Sequence, residues 1–172
     1  PGRYAIHEFA KNVFDVAITD GAGQNLAFTR PNPHQWDVHQ PGGTVRVSYR
    51  VFGDHLDGTY LAIDSTHAHI NMPAALLWAV GLERRAIEVR FQPPAGSGWR
   101  VATQLFPGAN EFTFTAPNLQ YLMDSPTEVG AFASRVFTVP DGKVPAQTFR
   151  IALHHDGSDS EADAFARDVE KI

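Results

Sequence analysis

Apolar and polar side chains alternate along much of the chain, and short turn sequences separate the alternating segments. The clearest case is residues 44–52, where Val45, Val47, Tyr49 and Val51 share one face of an extended strand. The other segments that alternate are Phe14/Val16/Ile18, Leu26/Phe28, Trp36/Val38, Ile87/Val89/Phe91, Phe112/Phe114 and Phe149/Ile151/Leu153. One buried face per strand, with turns at short intervals, is typical of antiparallel sheets. The sequence therefore predicts a mainly β fold, an antiparallel β-sandwich.

Residues 71–80 and the C-terminal segment depart from this alternation. Residues 71–80 combine the helix-capping residue Asn71 with an early proline, and they fit a short helix and a buried strand equally well. Ser158 and Glu161 stand at capping-box spacing, at the start of a segment with an apolar face. That face holds Phe165, Val169 and Ile172. We therefore predict a β-sandwich over residues 1–157 and a helix over 158–172.

Charge and composition exclude several classes of function. The chain has 172 residues, with 14 basic and 19 acidic side chains, and the basic residues form no stripe that could follow a phosphate backbone. We therefore do not expect nucleic acid as a partner. We do not expect a membrane either, because the apolar runs in the sequence are too short to cross a bilayer. Cysteine is absent, so no thiolate nucleophile or cysteine metal site is present. A chain without cysteine fits a cytoplasmic and an exported protein equally well.

Histidine pairs are the candidates for metal binding. His7 and Glu8 begin a zinc-peptidase-like motif, but the position of its second histidine is Lys11. His67 and His69 have the spacing of one strand face, and His154-His155-Asp156 forms a second group. Each offers fewer than three converging ligands, so the sequence predicts no metal site and no catalytic residue in this chain.

Aromatic residues suggest one alternative function. Trp36, Tyr60, Trp78 and Trp99 could form a platform that stacks on sugar rings, although aromatic residues in a β-sandwich are core residues by default. A free-standing β-sandwich module that binds carbohydrate therefore stays open as the alternative.

The segment 119–130 carries two acidic residues around a Ser-Pro pair. Asp124 and Glu128 flank Ser125 and Pro126, between two strand-like runs. The physical default is a turn that closes a sheet, in which Asp124 caps its own backbone and Glu128 is solvated.

The order and spacing of several motifs resemble the N-terminal β-domain of the glycyl aminopeptidases, metallopeptidase family sixty-one. The motifs are residues 1–10 (PGRYAIHEFA), Asp20-Gly21 with Leu26, residues 36–38 (WDV), 47–51 (VSYRV), 68–71 (AHIN), 99–105 (WRVATQL) and 122–130 (LMDSPTEVG). Family members normally carry a tryptophan before the first motif, so the resemblance implies an opening strand that this chain lacks.

The resemblance implies a function for the longer protein. It would be a zinc aminopeptidase whose His-Glu-x-x-His helix lies in a catalytic domain after Ile172, and this chain would hold no cofactor itself. The β-domain would contact its own catalytic domain and form one wall of the cleft that binds the peptide N-terminus. The residues expected to face the substrate are Tyr121, Asp124, Ser125, Pro126 and Glu128.

Overall fold

The computed structural model describes residues 7–140 and 145–172, so the first six residues of the opening motif lie outside the described residues. The strands are β1 (Val13–Asp20), β2 (Phe28–Thr29), β3 (Asp37–Val38), β4 (Val45–Val51), β5 (Leu61–Ile63), β6 (His67–Ile70), β7 (Ile87–Arg90), β8 (Arg100–Thr103), β9 (Phe106–Pro107), β10 (Thr113–Ala116), β11 (Thr127–Gly130), β12 (Ala133–Val139) and β13 (Gln147–Leu153). The helices are a 3-10 turn (Phe9–Asn12), α1 (Met72–Ala75), α2 (Leu119–Met123) and α3 (Asp159–Glu170). The described strand pairs are antiparallel, which confirms the predicted mainly β class with a C-terminal helix.

Two sheets and two short helices enclose the core. The larger sheet, called here the central sheet, has the strand order β5-β6-β11-β8, and a three-stranded sheet has the order β7-β10-β9. The buried cluster between them consists of Met72, Leu105, Ala116 and Leu122. These side chains come from α1, the link between β8 and β9, β10 and α2, so both helices contribute to one core.

The central sheet shows no clear alternation in the sequence, because its strands are short and partly buried on both faces. In β11, Thr127, Val129 and Gly130 are all buried, and Glu128 is only slightly exposed. Strands covered on both faces lose the alternation of apolar and polar residues that identifies half-buried strands. Glu128 lies opposite His69 of β6 on one side and Ala102 of β8 on the other.

Two-stranded ribbons account for the strands that alternate most clearly. β1 pairs with β4, and Val45 and Val47 on the face predicted to be buried remain 36% and 42% exposed. β12 pairs with β13, and β2 pairs with β3. Narrow ribbons cover less surface than a wide sheet, so part of their apolar face stays open.

Residues 71–80 form a helix for a single turn only. Asn71 precedes α1, and the chain is extended again at Leu76, with φ −107° and ψ 135°. A proline at the first turn is compatible with a helix start. The helical alternative is therefore correct for Met72–Ala75 and wrong for the rest of the segment.

The C-terminal helix α3 begins at the predicted capping box. The Ser158 side chain accepts a hydrogen bond from the Glu161 backbone, and the Glu161 carboxylate accepts one from the Ser158 backbone N–H at 2.7 Å. The helix packs on β12, where Arg135 forms ion pairs with Asp159 and Asp163. No helix within the described residues is long and apolar enough to cross a membrane.

The face of α3 that packs on the protein differs from the predicted one. Ala162 is buried, whereas Phe165 is 50% exposed and Ile172 is fully exposed. The small alanine faces β12 because a helix held by the Arg135 ion pairs lies close to the ribbon. Of the three predicted residues, Val169 is half-buried, and Phe165 and Ile172 are left outward.

Candidate functional site

The segment 119–130 is a helix, a short junction and a central strand, and not one loop. The Asn118 side chain caps α2 by accepting a hydrogen bond from the Tyr121 backbone N–H at 2.9 Å. The helix ends at Met123 with Asp124 as its C-cap, and β11 begins at Thr127. Only residues 124–126 connect the two elements.

Tyr121 and Ser125 hold this junction against the end of β8. The Tyr121 hydroxyl donates to the Gln104 carbonyl at 2.9 Å, and its ring stacks on Phe106 with the centroids 5.1 Å apart. Ser125 is fully buried, and its Oγ donates to the Tyr121 carbonyl at 2.6 Å and accepts from Gln104 Nε2 at 3.2 Å. Both side chains are engaged within the protein.

Asp124 and Pro126 lie at the edge of a large cleft with a volume of about 1070 Å³. Trp78 and Asn71 line the same cleft as the residues of α2. The Asp124 carboxylate accepts a hydrogen bond from Gln120 Nε2 at 2.7 Å. Part of its hydrogen-bonding capacity is therefore used locally.

Glu128 lies in the middle of the central sheet, on the opposite side of its strand from Thr127 and Val129. Its side chain is 14% exposed, and its Oε2 lies 3.3 Å from His69 Nδ1. Its Oε1 is buried, and no donor among the described residues reaches it. A buried carboxylate oxygen without a donor is costly, which marks Glu128 as a site for a cation or a hydrogen-bond donor.

Glu128 also controls the protonation of its neighbour. The hydrogen bond from His69 to the Glu128 carboxylate raises the pKa of His69, and the partial burial of the imidazole opposes this effect. A protonated His69 beside Glu128 compensates part of the charge of the carboxylate.

Two further histidines complete what we call the His–Glu cluster: His67, His69, Glu128 and His154. The rings of His67 and His154 stack with centroids 3.8 Å apart and planes 18° from parallel. One donor atom each from His67, Glu128 and His154 lies within 4.8 Å of the other two. His67 is buried and Glu128 is nearly so, whereas His154 is exposed.

An acidic residue fixes the orientation of His67. Asp64 Oδ1 lies 3.4 Å from His67 Nδ1, and it accepts hydrogen bonds from the Thr66 hydroxyl at 2.7 Å and the Thr66 backbone N–H at 2.6 Å. The bonds from Thr66 hold the pKa of Asp64 well below its usual value. Asp64 is therefore an anion beside Nδ1 of His67, and the Thr66 hydroxyl lies closer to the same nitrogen, at 3.2 Å.

The remaining sequence candidates lie elsewhere. His7 Nδ1 lies 3.0 Å from the Tyr60 hydroxyl, and His7, Tyr60 and Phe9 pack together. Trp36 lies under the Arg30 guanidinium, 4.4 Å from the ring centroid, and Trp78 borders the cleft. Among the described ring contacts, none joins two members of the proposed sugar platform.

The sequence matches a known family over most of its length. Residues 1–131 match the family model of the Peptidase M61 N-terminal domain. The chain belongs to the peptidase M61 family. This M61 domain therefore carries the central sheet and the junction at 124–126 within the matched region, whereas His154 and α3 follow it.

A solved structure shares the fold of the M61 domain. It is an aminopeptidase N family protein from Idiomarina loihiensis, with a TM-score of 0.79 and 22% sequence identity. The alignment covers 95% of the M61 domain chain and 28% of the other protein, so the chain spans well under half of that relative. No curated protein matches the sequence.

Proposed function

We propose that this chain is the non-catalytic N-terminal domain of a zinc-dependent glycyl aminopeptidase, where it forms part of the substrate cleft and helps to recognise the peptide N-terminus. Membership of the peptidase M61 family supports the class of enzyme. The larger size of the aminopeptidase N relative supports a catalytic domain in the same chain. The sequence motif His7-Glu8 does not fit the catalytic zinc, because Lys11 stands where the motif needs its second histidine.

The surface of the domain supports a large partner. Trp78, Val80 and Leu82 are 53%, 84% and 46% exposed within one short segment beside the cleft. Apolar side chains exposed in this way are typical of surfaces that another domain covers.

Glu128 is the proposed contact to the substrate's α-ammonium. An ammonium group carries only donors, and a carboxylate binds it through charge-assisted hydrogen bonds. The unpartnered Oε1 of Glu128 is the observation that carries this proposal, because the other candidate, Asp124, already binds Gln120. The hydrogen bond from His69 holds the Glu128 carboxylate in place through its other oxygen.

The other predicted site residues take supporting roles in this proposal. Tyr121 and Ser125 position the start of β11, and through it Glu128. Asp124 and Pro126 form the rim of the cleft beside Trp78.

Kinetics of the full-length peptidase test the proposal. Glu128→Gln should lower kcat/KM for glycyl substrates at least tenfold, about 1.4 kcal/mol, because the amide cannot carry the compensating charge. Asp124→Asn should change kcat/KM by less than twofold, and Glu88→Gln, at an exposed position of β7, is the matched control. Wild-type kinetics for Glu128→Gln in a folded enzyme would contradict the assignment.

A further inference from the structure

The His–Glu cluster has the composition of a metal site. His67 and His154 supply imidazole nitrogens, and Glu128 supplies a carboxylate oxygen that has no donor. Two histidines and one glutamate form one of the ligand sets that bind zinc with an open fourth position. Imidazole ligands favour zinc and its neighbours in the transition series over magnesium or calcium.

We infer that His67, Glu128 and His154 form a binding site for one zinc-class divalent cation, separate from the catalytic zinc of the proposed enzyme. The inference goes beyond the proposed function and competes with it at one atom, because a bound cation would occupy the Glu128 Oε1 that otherwise accepts from the α-ammonium. The amino-acid sequence predicts no metal here because each histidine pair alone lacks a third ligand. The fold supplies that ligand by placing Glu128 of β11 beside both pairs.

Neighbouring groups already provide the support that metal ligands require. A metal-binding histidine usually donates its other ring N–H to a carboxylate, which fixes its orientation. The Thr66 hydroxyl lies 3.2 Å from His67 Nδ1 and donates to Asp64 Oδ1 at 2.7 Å, so the carboxylate supports His67 through Thr66. His69 binds Glu128 Oε2 and leaves Oε1 for the cation.

Metal uptake requires one movement. Donor atoms up to 4.8 Å apart must approach to about 3.4 Å, the separation that bond lengths of about 2.0–2.1 Å set in a tetrahedral site. Parallel stacked rings cannot both direct a lone pair at one ion, so one imidazole must leave the stack. His154 is exposed and follows the last residue of β13, whereas His67 is buried and fixed by Asp64. His154 is therefore the ligand that moves.

Direct binding of Zn²⁺ to this chain tests the inference. Equilibrium dialysis at micromolar free Zn²⁺, followed by metal analysis, should find one ion per chain. Co²⁺ used as a spectroscopic probe should show the strong visible absorption of a four-coordinate site. His154→Ala and Glu128→Gln should each weaken Zn²⁺ binding at least tenfold, and Asp64→Asn should weaken it by about 10- to 100-fold through the orientation of His67.

Controls separate a built site from binding to surface histidines. His34→Ala changes an exposed loop histidine and should leave Zn²⁺ affinity unchanged. Far-UV circular dichroism of each variant checks folding, and His154→Gln replaces His154→Ala if the latter unfolds. Absence of bound zinc, or equal losses in His34→Ala and His154→Ala, would overturn the inference.

The same variants separate the metal site from the amine contact. His154→Ala removes a metal ligand and leaves the Glu128 carboxylate, so it should abolish tight zinc binding while the full-length peptidase keeps its kcat/KM. Glu128→Gln should impair both. Zinc binding without amine recognition, or the reverse, would therefore identify which proposal fails.

Discussion

Replacement of Ser125 by alanine distinguishes a structural serine from one that binds substrate. Ser125 is completely buried, and its hydroxyl donates to the Tyr121 carbonyl at 2.6 Å and accepts from Gln104 Nε2 at 3.2 Å. Ser125→Ala leaves that carbonyl without its donor. Gln104 keeps its second bond, to the Asp124 carbonyl at 2.5 Å.

The expected loss of stability follows from these contacts. Leaving one buried carbonyl unsatisfied costs about 1–3 kcal/mol. A loss of about 2 kcal/mol lowers the melting temperature of a domain of this size by about 4–8 °C. The same loss of about 2 kcal/mol is a large share of a typical free energy of unfolding, which is about 5–15 kcal/mol.

Urea unfolding of the chain measures the effect. The midpoint should fall while the m-value stays constant, because the surface exposed on unfolding does not change. Ser65→Ala, at an exposed serine, is the matched control and should leave the midpoint in place. Unchanged stability of Ser125→Ala, together with a raised KM in the full-length peptidase, would refute the structural role and make Ser125 a substrate contact.

Further predictions concern the cluster, the C-terminal helix and a close approach of two chain segments. Because Glu128 raises the pKa of His69 above its ordinary 6.5, the pair stabilises the fold fully below that pH and loses its effect as pH rises through the raised pKa. The free energy of unfolding should therefore fall as pH rises above about 6.5, and Glu128→Gln, followed by urea unfolding across pH, should remove this decline. Ser158→Ala should cost about 0.5–2 kcal/mol in urea unfolding, because the capping box is complete. Unchanged stability would show that the end of the helix frays in the native protein. Gly53→Ala should destabilise the chain in thermal melts, because its Cβ would collide with Leu61 Cβ. A melting temperature equal to wild type would contradict this packing.

Part of the candidate site could be predicted from the sequence. Asp124 and Glu128 stand out as carboxylates around a Ser-Pro pair, and the motif that carries them lies within the region that matches the family. Their different roles could not be predicted, because Asp124 is the C-cap of α2 and β11 begins three residues later. Four residues of sequence therefore separate a cleft rim from the middle of a buried sheet.

Local chemistry determined the elements that the sequence specifies by itself. The strand β4 and the capping box of α3 depend on neighbours within a few residues, and both are found in the structure, although the predicted inner face of β4 stays partly exposed. The central sheet and the His–Glu cluster depend on contacts between distant segments: His69 meets Glu128 across 59 residues, and Thr66 meets His154 across 88. Short strands buried on both faces show no alternation of apolar and polar residues. The side chains of the His–Glu cluster come together only when the strands that carry them pair. Tertiary structure alone therefore decided where the charged groups meet.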